Sequence, residues 1–241
     1  MEMPIDVQHQ AMGYDRTATM FSPEGHLLQV EYAEKTVRLG STSIGLVCND
    51  GVLIVADKRG NDKLIVSKTA SKIYEVDDNI VASAAGIASD ARMLMEKAQL
   101  TAQKHRVTYD SPIEPEVIIR ELSNTKQMFT QYGGARPYGV SIMLAGTNNG
   151  KPELYTSDVT GNYNAYFANA IGENDAIIKE RLREKYKKDM TIKQGVKLVF
   201  EIFKELKGKD FDLEKFELAF IQNDKERLQR VDGEGLKDYT K

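Results

Sequence analysis

From Leu27 the apolar residues Leu27, Val30, Ala33 and Val37 recur every three or four positions, with Glu31 and Glu34 on the opposite side. That spacing predicts an amphipathic helix over Leu27–Arg38. Gly40 stops it, and a Ser22-Pro23-Glu24-Gly25 turn leads into it. Ahead of the turn, up to Tyr14-Asp15-Arg16, polar residues, glycine and methionine follow one another without a period, so no element is predicted there. Beyond Gly40 the period shortens to two. Strands are predicted at Thr42–Cys48 and Val52–Asp57 around Asn49-Asp50-Gly51, then at Lys72–Val76 and Ile80–Ala85 around Asp77-Asp78-Asn79.

A helical period follows. Ser89 is placed as the cap of one helix with the stripe Ala88, Ala91, Met95, Ala98 and Ala102, and Ile118, Leu122, Thr125 and Phe129 mark a second that ends at Gly133-Gly134. Strands at Val140–Gly146, Glu153–Ser157 and Tyr163–Ala170 come next, then helices at Asp175–Tyr186 and Thr191–Leu206. Phe216, Leu218 and Phe220 alternate with Glu217 and Ala219, a strand that Arg227–Val231 can pair with, and the tail to Lys241 is polar. Strands in pairs and helices in pairs exclude a doubly wound parallel sheet, in which single strands and helices alternate. The expected class is α/β in composition and α+β in arrangement: a four-layer αββα sandwich of two antiparallel sheets, each covered by helices with one apolar face.

Composition narrows the partners. The 241 residues are expected to form a single domain. With 33 basic and 36 acidic side chains there is no surplus of positive charge for nucleic acid or an anionic membrane. Lys187-Lys188 and the lysines from Lys204 to Lys209 read as solvated helix ends, because no aromatic residues interleave with them. No apolar run is long enough to span a bilayer, and the opening residues lack the apolar block of a signal peptide, so a cytoplasmic location is expected. Cys48 is the single cysteine and sits in a strand, and His9, His26 and His105 lack metal-ligand spacing. No metal or cofactor is expected.

One constellation could carry chemistry. Gly40-Ser41 opens a strand, Asp57 ends the next, and Lys72 begins the third. If the chain were cut after Gly40, the new α-amine of Ser41 would be a base beside its own hydroxyl, with Asp57 and Lys72 as helpers. The plain alternative is a strand-start hydroxyl, a turn carboxylate and a solvated lysine. The segment Gly133-Gly134-Ala135-Arg136-Pro137-Tyr138-Gly139 either rims a constriction or only joins a helix to a strand, and Glu173-Asn174-Asp175 places carboxylates at a helix start, where they complement its dipole.

Taken together, these residues resemble a known family from Tyr14 to about Val231. Tyr14-Asp15-Arg16, the run from Phe21 to Ala33, Gly40-Ser41-Thr42, Asp57-Lys58, Ser71-Lys72-Ile73, Tyr132-Gly133-Gly134 and Arg136-Pro137-Tyr138-Gly139-Val140-Ser141 occur in the order found in α-subunits of the 20S proteasome, most like archaeal ones. The resemblance implies the N-terminal-nucleophile hydrolase fold and seven-membered rings, of this chain or close relatives, stacked in the order α, β, β, α. It implies a non-catalytic subunit of a threonine-type endopeptidase complex, in which Ser41 stays covered by residues 1–40. It further implies a gate formed by residues 1–14, with Tyr14, Asp15, Arg16, Pro23 and Tyr32 holding its open arrangement. Tyr132, Gly133 and Gly134 would rim the pore. Lys72, with Gly40 and Glu31 nearby, would form the pocket for the C-terminus of a proteasome-activating ATPase. The implied partners are proteasome β-subunits, that ATPase and unfolded protein substrates. Within the single domain, residues 15–39 would form the leading turn and helix, 40–231 the sandwich and 232–241 the tail.

Overall fold

The computed structural model describes residues 12–58, 64–65, 70–225 and 227–240. After helix α1 (Leu28–Leu39) come strands β1 (Ser43–Cys48), β2 (Gly51–Asp57), β3 (Ile73–Asp77) and β4 (Ile80–Gly86), then helices α2 (Ala88–Tyr109) and α3 (Pro115–Gln131). Strands β5 (Val140–Asn148), β6 (Lys151–Ser157), β7 (Tyr163–Ala165) and β8 (Ala168–Ile171) follow, then α4 (Asp175–Lys185) and α5 (Ile192–Lys207), strands β9 (Phe216–Gln222) and β10 (Leu228–Asp232), and the short α6 (Lys237–Thr240). One sheet has the order β10-β9-β2-β1-β8 and the other β3-β4-β5-β6-β7, with every pairing antiparallel.

The expected four layers are present, and strand alternation builds them. In β2, Leu53 and Val55 pack outward with Val196, Val199 and Phe203 of α5, while Val52, Ile54 and Ala56 point inward at the other sheet. In β4 and β5 the outward set Ile80, Ala82, Ile142 and Leu144 meets Leu94, Ile118 and Leu122 of α2 and α3, while Val81, Met143 and Ala145 point inward. Three apolar interfaces thus separate four layers, and a strand buried on both faces cannot slip by one residue without reversing both sets. Thr191 caps α5 through a reciprocal pair with Gln194, in which Gln194 N donates to Thr191 Oγ1 and Thr191 N to Gln194 Oε1.

Three expectations change. The run Tyr163–Ala170 is two strands, not one. β7 pairs with β6 in one sheet and β8 with β1 in the other. The chain crosses between Tyr166, whose N–H donates to Leu154 O, and Phe167, whose carbonyl accepts from Val47 N. A period of two records which face is buried, not which sheet supplies the partner. Ser89 is not the cap of α2, because the helix begins at Ala88 with Ile87 in the capping position and no side-chain cap. The polar tail docks: Leu236 is fully buried against the α5 side, and the Tyr239 ring lies 5.8 Å from that of Phe220.

Lys126 of α3 is fully buried, one position beyond the expected apolar stripe. Its Nζ lies 3.2 Å from both the carbonyl and the hydroxyl oxygen of Ser157, and Ser123 Oγ donates to the same hydroxyl at 2.9 Å. Burial pushes the ammonium down to about 7, against the opposing pull of Asp158. Between that value and the ordinary lysine range the unfolded chain binds the extra proton, so this group makes stability rise with pH across that window and fall to its lower plateau below it. Lys126→Met therefore raises the thermal midpoint at and below neutral pH, on the order of a few kcal/mol in stability, and the gain shrinks towards pH 10. Melting wild type and variant from pH 6 to 10 checks this; a gain that does not change with pH contradicts it.

Candidate functional site

The site is organised where four backbone segments meet at one end of the sandwich. The first is the end of α1. Gly40 N donates to Val37 O, Gly40 O accepts from Glu173 N at 2.8 Å, and the chain continues extended into Ser41. A Cβ on Gly40 would stand 2.3 Å from Gly86 N, and a Cβ on Gly86, whose φ is +126°, would stand 2.1 Å from Gly139 O. Only glycine lets these backbones touch. The glycine ahead of Ser41 is thus explained by contact with the end of β4.

Lys72 is half-buried and donates from Nζ to the carbonyl oxygen of Ser41 at 2.6 Å. Its backbone is held by Glu217, whose Oε2 accepts from Lys72 N and Ser71 Oγ, each at 3.0 Å, while Lys58 Nζ lies 3.8 Å from the other carboxylate oxygen. Arg230 adds a 2.7 Å bond to Ser71 Oγ. In front of Lys72 is an open cavity of about 270 Å³ lined by Ser41, Lys58, Ser71, Tyr74, Gly86 and Ala91 among others. Burial, then the Glu217 charge, raises the Tyr74 hydroxyl above its ordinary value, so Tyr74 stays a neutral donor. Two cations and a phenol around a small concave space favour an anion with an apolar flank.

The helpers expected of a nucleophile are arranged otherwise. Asp57 accepts from Lys207 Nζ at 2.5 Å, and the lysine at position 72 is directed to the Ser41 carbonyl. Cys48 is buried, and burial followed by the Asp50 charge pushes its thiol up to about 12, so it is not a nucleophile at neutral pH. Glu217 is a site residue that the sequence pattern does not single out. Its alternation with Phe216 and Leu218 is visible, but Ala219 and Ile221 on the same face point into the sandwich, so Glu217 is a buried carboxylate and not a solvent-facing one.

The remaining residues fall on α1 and its approaches, or on the α3–β5 connection. Tyr14 and Asp15 lie in a turn, and Asp15 O accepts from Gln29 Nε2 of α1 at 2.5 Å; Arg16 N donates to Gly13 O. Pro23 is exposed in the expected turn, closed by Gly25 N to Ser22 O at 2.9 Å. His26, at the end of that turn, pairs with Glu31 at 2.5 Å, which places Glu31 beside the Pro23 turn and outside the lining of the Lys72 cavity. Tyr32 carries Lys35 Nζ 5.2 Å from its ring centre. Tyr132 is 61% exposed, and a Cβ on Gly133 or Gly134 would meet nothing within 4 Å. Gly134 has φ +82°, which favours glycine there.

The "Proteasome subunit" family profile covers residues 37–221, from the last turn of α1 to β9, and the N-terminal signature of A-type proteasome subunits covers residues 14–35. The chain belongs to the proteasome α-subunit family. The proteasome alpha subunit of Pyrococcus horikoshii is 40% identical over 228 residues, 94% of this chain and 86% of the relative. That of Archaeoglobus fulgidus is 38% identical over 95% of this chain and 93% of the relative, and that of Methanosarcina acetivorans 37% over the same shares. The two sheets with their helices are the N-terminal-nucleophile hydrolase fold of proteasome subunits. In this chain the family's N-terminal signature comprises the Tyr14–Arg16 turn, the Pro23 turn and the first two turns of α1. Among the described residues no helix is long and apolar enough to cross a membrane.

The two neighbours at the end of α1 should respond differently to substitution. Gly40→Ala drives a methyl group into the Gly86 backbone and costs about 1–3 kcal/mol. Ser41→Ala changes stability by roughly 0.5 kcal/mol or less. Urea denaturation of both variants checks the contrast, and equal effects would contradict the close-contact role of Gly40.

Proposed function

We propose that this protein is a non-catalytic, gating α-subunit of the 20S core, part of a threonine-type endopeptidase complex in the cytoplasm. Seven copies, or copies with close relatives, form an outer ring on the β-subunits, and the whole chain acts as one α-type domain. Residues 1–14 serve as the gate; all but the last three lie outside the described residues. Tyr14, Asp15, Arg16, Pro23 and Tyr32 support the open gate, and Tyr132, Gly133 and Gly134 rim the pore through which unfolded protein passes. Lys72, with Gly40 beside it, receives the C-terminal carboxylate of an activating ATPase, and Glu31 transmits the docking to the Pro23 turn.

The observation that carries this reading is the Lys72 cavity. A half-buried ammonium, backed by Lys58 and opening on a small space, fits a chain-terminal carboxylate, which brings two acceptor oxygens and an apolar side chain. The same cavity wall includes Ser41, at the end of the helix that carries the Pro23 turn through His26 and Glu31. A carboxylate that draws Lys72 from the Ser41 carbonyl would perturb the end of α1 and bias a closed-to-open equilibrium at its start.

The alternative, a self-processing hydrolase using Ser41, draws on the nearness of Ser41 and Lys72. It needs a free amine on Ser41, and the peptide before it is held by the Gly40–Gly86 contact and the Glu173 hydrogen bond. That environment favours the uncut chain.

In assembled core particles, Lys72→Ala should remove ATPase-stimulated degradation, by roughly tenfold or more for a lost charge-assisted pair, while basal cleavage of short peptides persists. Deleting residues 2–12 should raise peptide hydrolysis without any activator. Stimulation that survives Lys72→Ala refutes the pocket, and an unchanged basal rate after the deletion refutes the gate.

A further inference from the structure

The segment between α3 and β5 has two halves with different restraints. Tyr132 to Gly134 project from the surface, whereas everything from Arg136 onward is tied to one carboxylate. Asp90, in the first turn of α2, is buried. Its Oδ1 accepts from Arg136 Nη2 and its Oδ2 from Arg136 Nη1, each at 2.7 Å, and Oδ2 also accepts from Gly139 N at 2.9 Å. Arg136 Nη1 donates as well to Pro137 O at 3.0 Å, closing the segment on itself. Burial pushes the Asp90 carboxyl up, but the bonds from Arg136 and Gly139 and the guanidinium charge outweigh it and hold it below the ordinary carboxylate range. The fork is therefore charged at neutral pH, and two parallel bonds fix orientation as well as distance.

The same segment is tied to two helices. Gly139 O accepts from Ile87 N and from Thr36 Oγ1 of α1, both at 2.9 Å. Thr36 Oγ1 also lies 2.7 Å from Ala33 O, so its single hydroxyl proton is shared between its own helix and the connection. The Phe129 ring at the end of α3 lies 4.8 Å from that of Tyr138. α1, which Gly40 caps, is thus one hydrogen bond from the peptide that Asp90 holds.

We propose that Asp90 is the positioning residue of the pore rim: its fork to Arg136 and Gly139 fixes where the exposed Tyr132–Gly134 turn is anchored, and so sets the width of chain that passes. The proposal rests on the reading of Tyr132–Gly134 as the rim. Its consequence is selectivity by size, separate from the gate. A rim anchored at Arg136 resists two strands side by side more than one. A rim released from Asp90 yields to the wider object.

The test uses core particles whose α-subunits lack residues 2–12, supplied with an unfolded protein either linear or closed by one disulfide, so that two strands must pass together. Asp90→Asn and Arg136→Met should each raise the looped-to-linear degradation ratio by roughly tenfold, the scale of one lost charge-assisted bond, with short-peptide hydrolysis unchanged. The Arg136 side chain is 58% exposed, so its removal leaves the core intact even if the Asp90 variant fails to assemble. The double variant should exceed neither single one, since the pair acts as a unit. An unchanged ratio in Arg136→Met overturns the proposal. Gly133→Trp separates the two levels: if the added bulk blocks the linear chain, the rim reading stands and the ratio alone judges Asp90. If linear degradation is unaffected, the rim reading fails and the proposal falls with it.

Discussion

The structure depends on a place where side chains are excluded. Gly40, Gly86 and Gly139 bring the end of α1, the end of β4 and the start of β5 into backbone contact, with no room for a Cβ at the first two junctions. Overpacking of this kind cannot be relieved by a rotamer change, because both colliding partners are main chain. α1 is therefore seated at one end of the two sheets in one arrangement. What precedes it, the Pro23 turn and the Tyr14–Arg16 turn, inherits that placement through Glu31–His26 and Gln29–Asp15.

Around this contact, buried charge does the positioning. Glu217 holds the Ser71 hydroxyl and the Lys72 backbone N–H, which leaves the Lys72 ammonium to reach the Ser41 carbonyl and the cavity. Asp90 does the equivalent for the connection that carries Tyr132–Gly134. A buried carboxylate is expensive unless its acceptors are filled, and both are filled by main-chain N–H groups together with polar side chains. The cost of desolvation goes into fixing the Ser71–Lys72 segment and the connection between α3 and β5.

Much of this could be read from the sequence, because the fold is written in periods. Leu53 and Val55 against Val52, Ile54 and Ala56 give the two faces of β2, and the paired strands and paired helices exclude a parallel sheet. The period fails where it carries no partner information, as at Tyr166–Phe167, where the chain changes sheets within the apolar run Ala165–Ala168. It also fails where a polar side chain sits on an apolar face. Glu217 shares a face with Ala219 and Ile221, and Lys126 lies within α3 beside Leu122 and Thr125; in both, the burial is decided by partners distant in sequence. Gly40-Ser41 and Lys72 stand out in the sequence as a constellation, the other residues of the candidate site only through family resemblance, and the geometry joins Lys72 to Ser41 while placing Glu31 beside the Pro23 turn.

The central claim is that Gly40-Ser41, whose expected helpers Asp57 and Lys72 are engaged elsewhere, is a close-contact junction of an uncut chain. The most direct measurement is the intact mass of this chain recovered from particles assembled with active β-subunits. The expected result is the unprocessed chain at 27.0 kDa, with the segment before Ser41 attached. A product that begins at Ser41, having lost the forty residues ahead of it, would contradict the claim and restore Ser41 as a catalytic group.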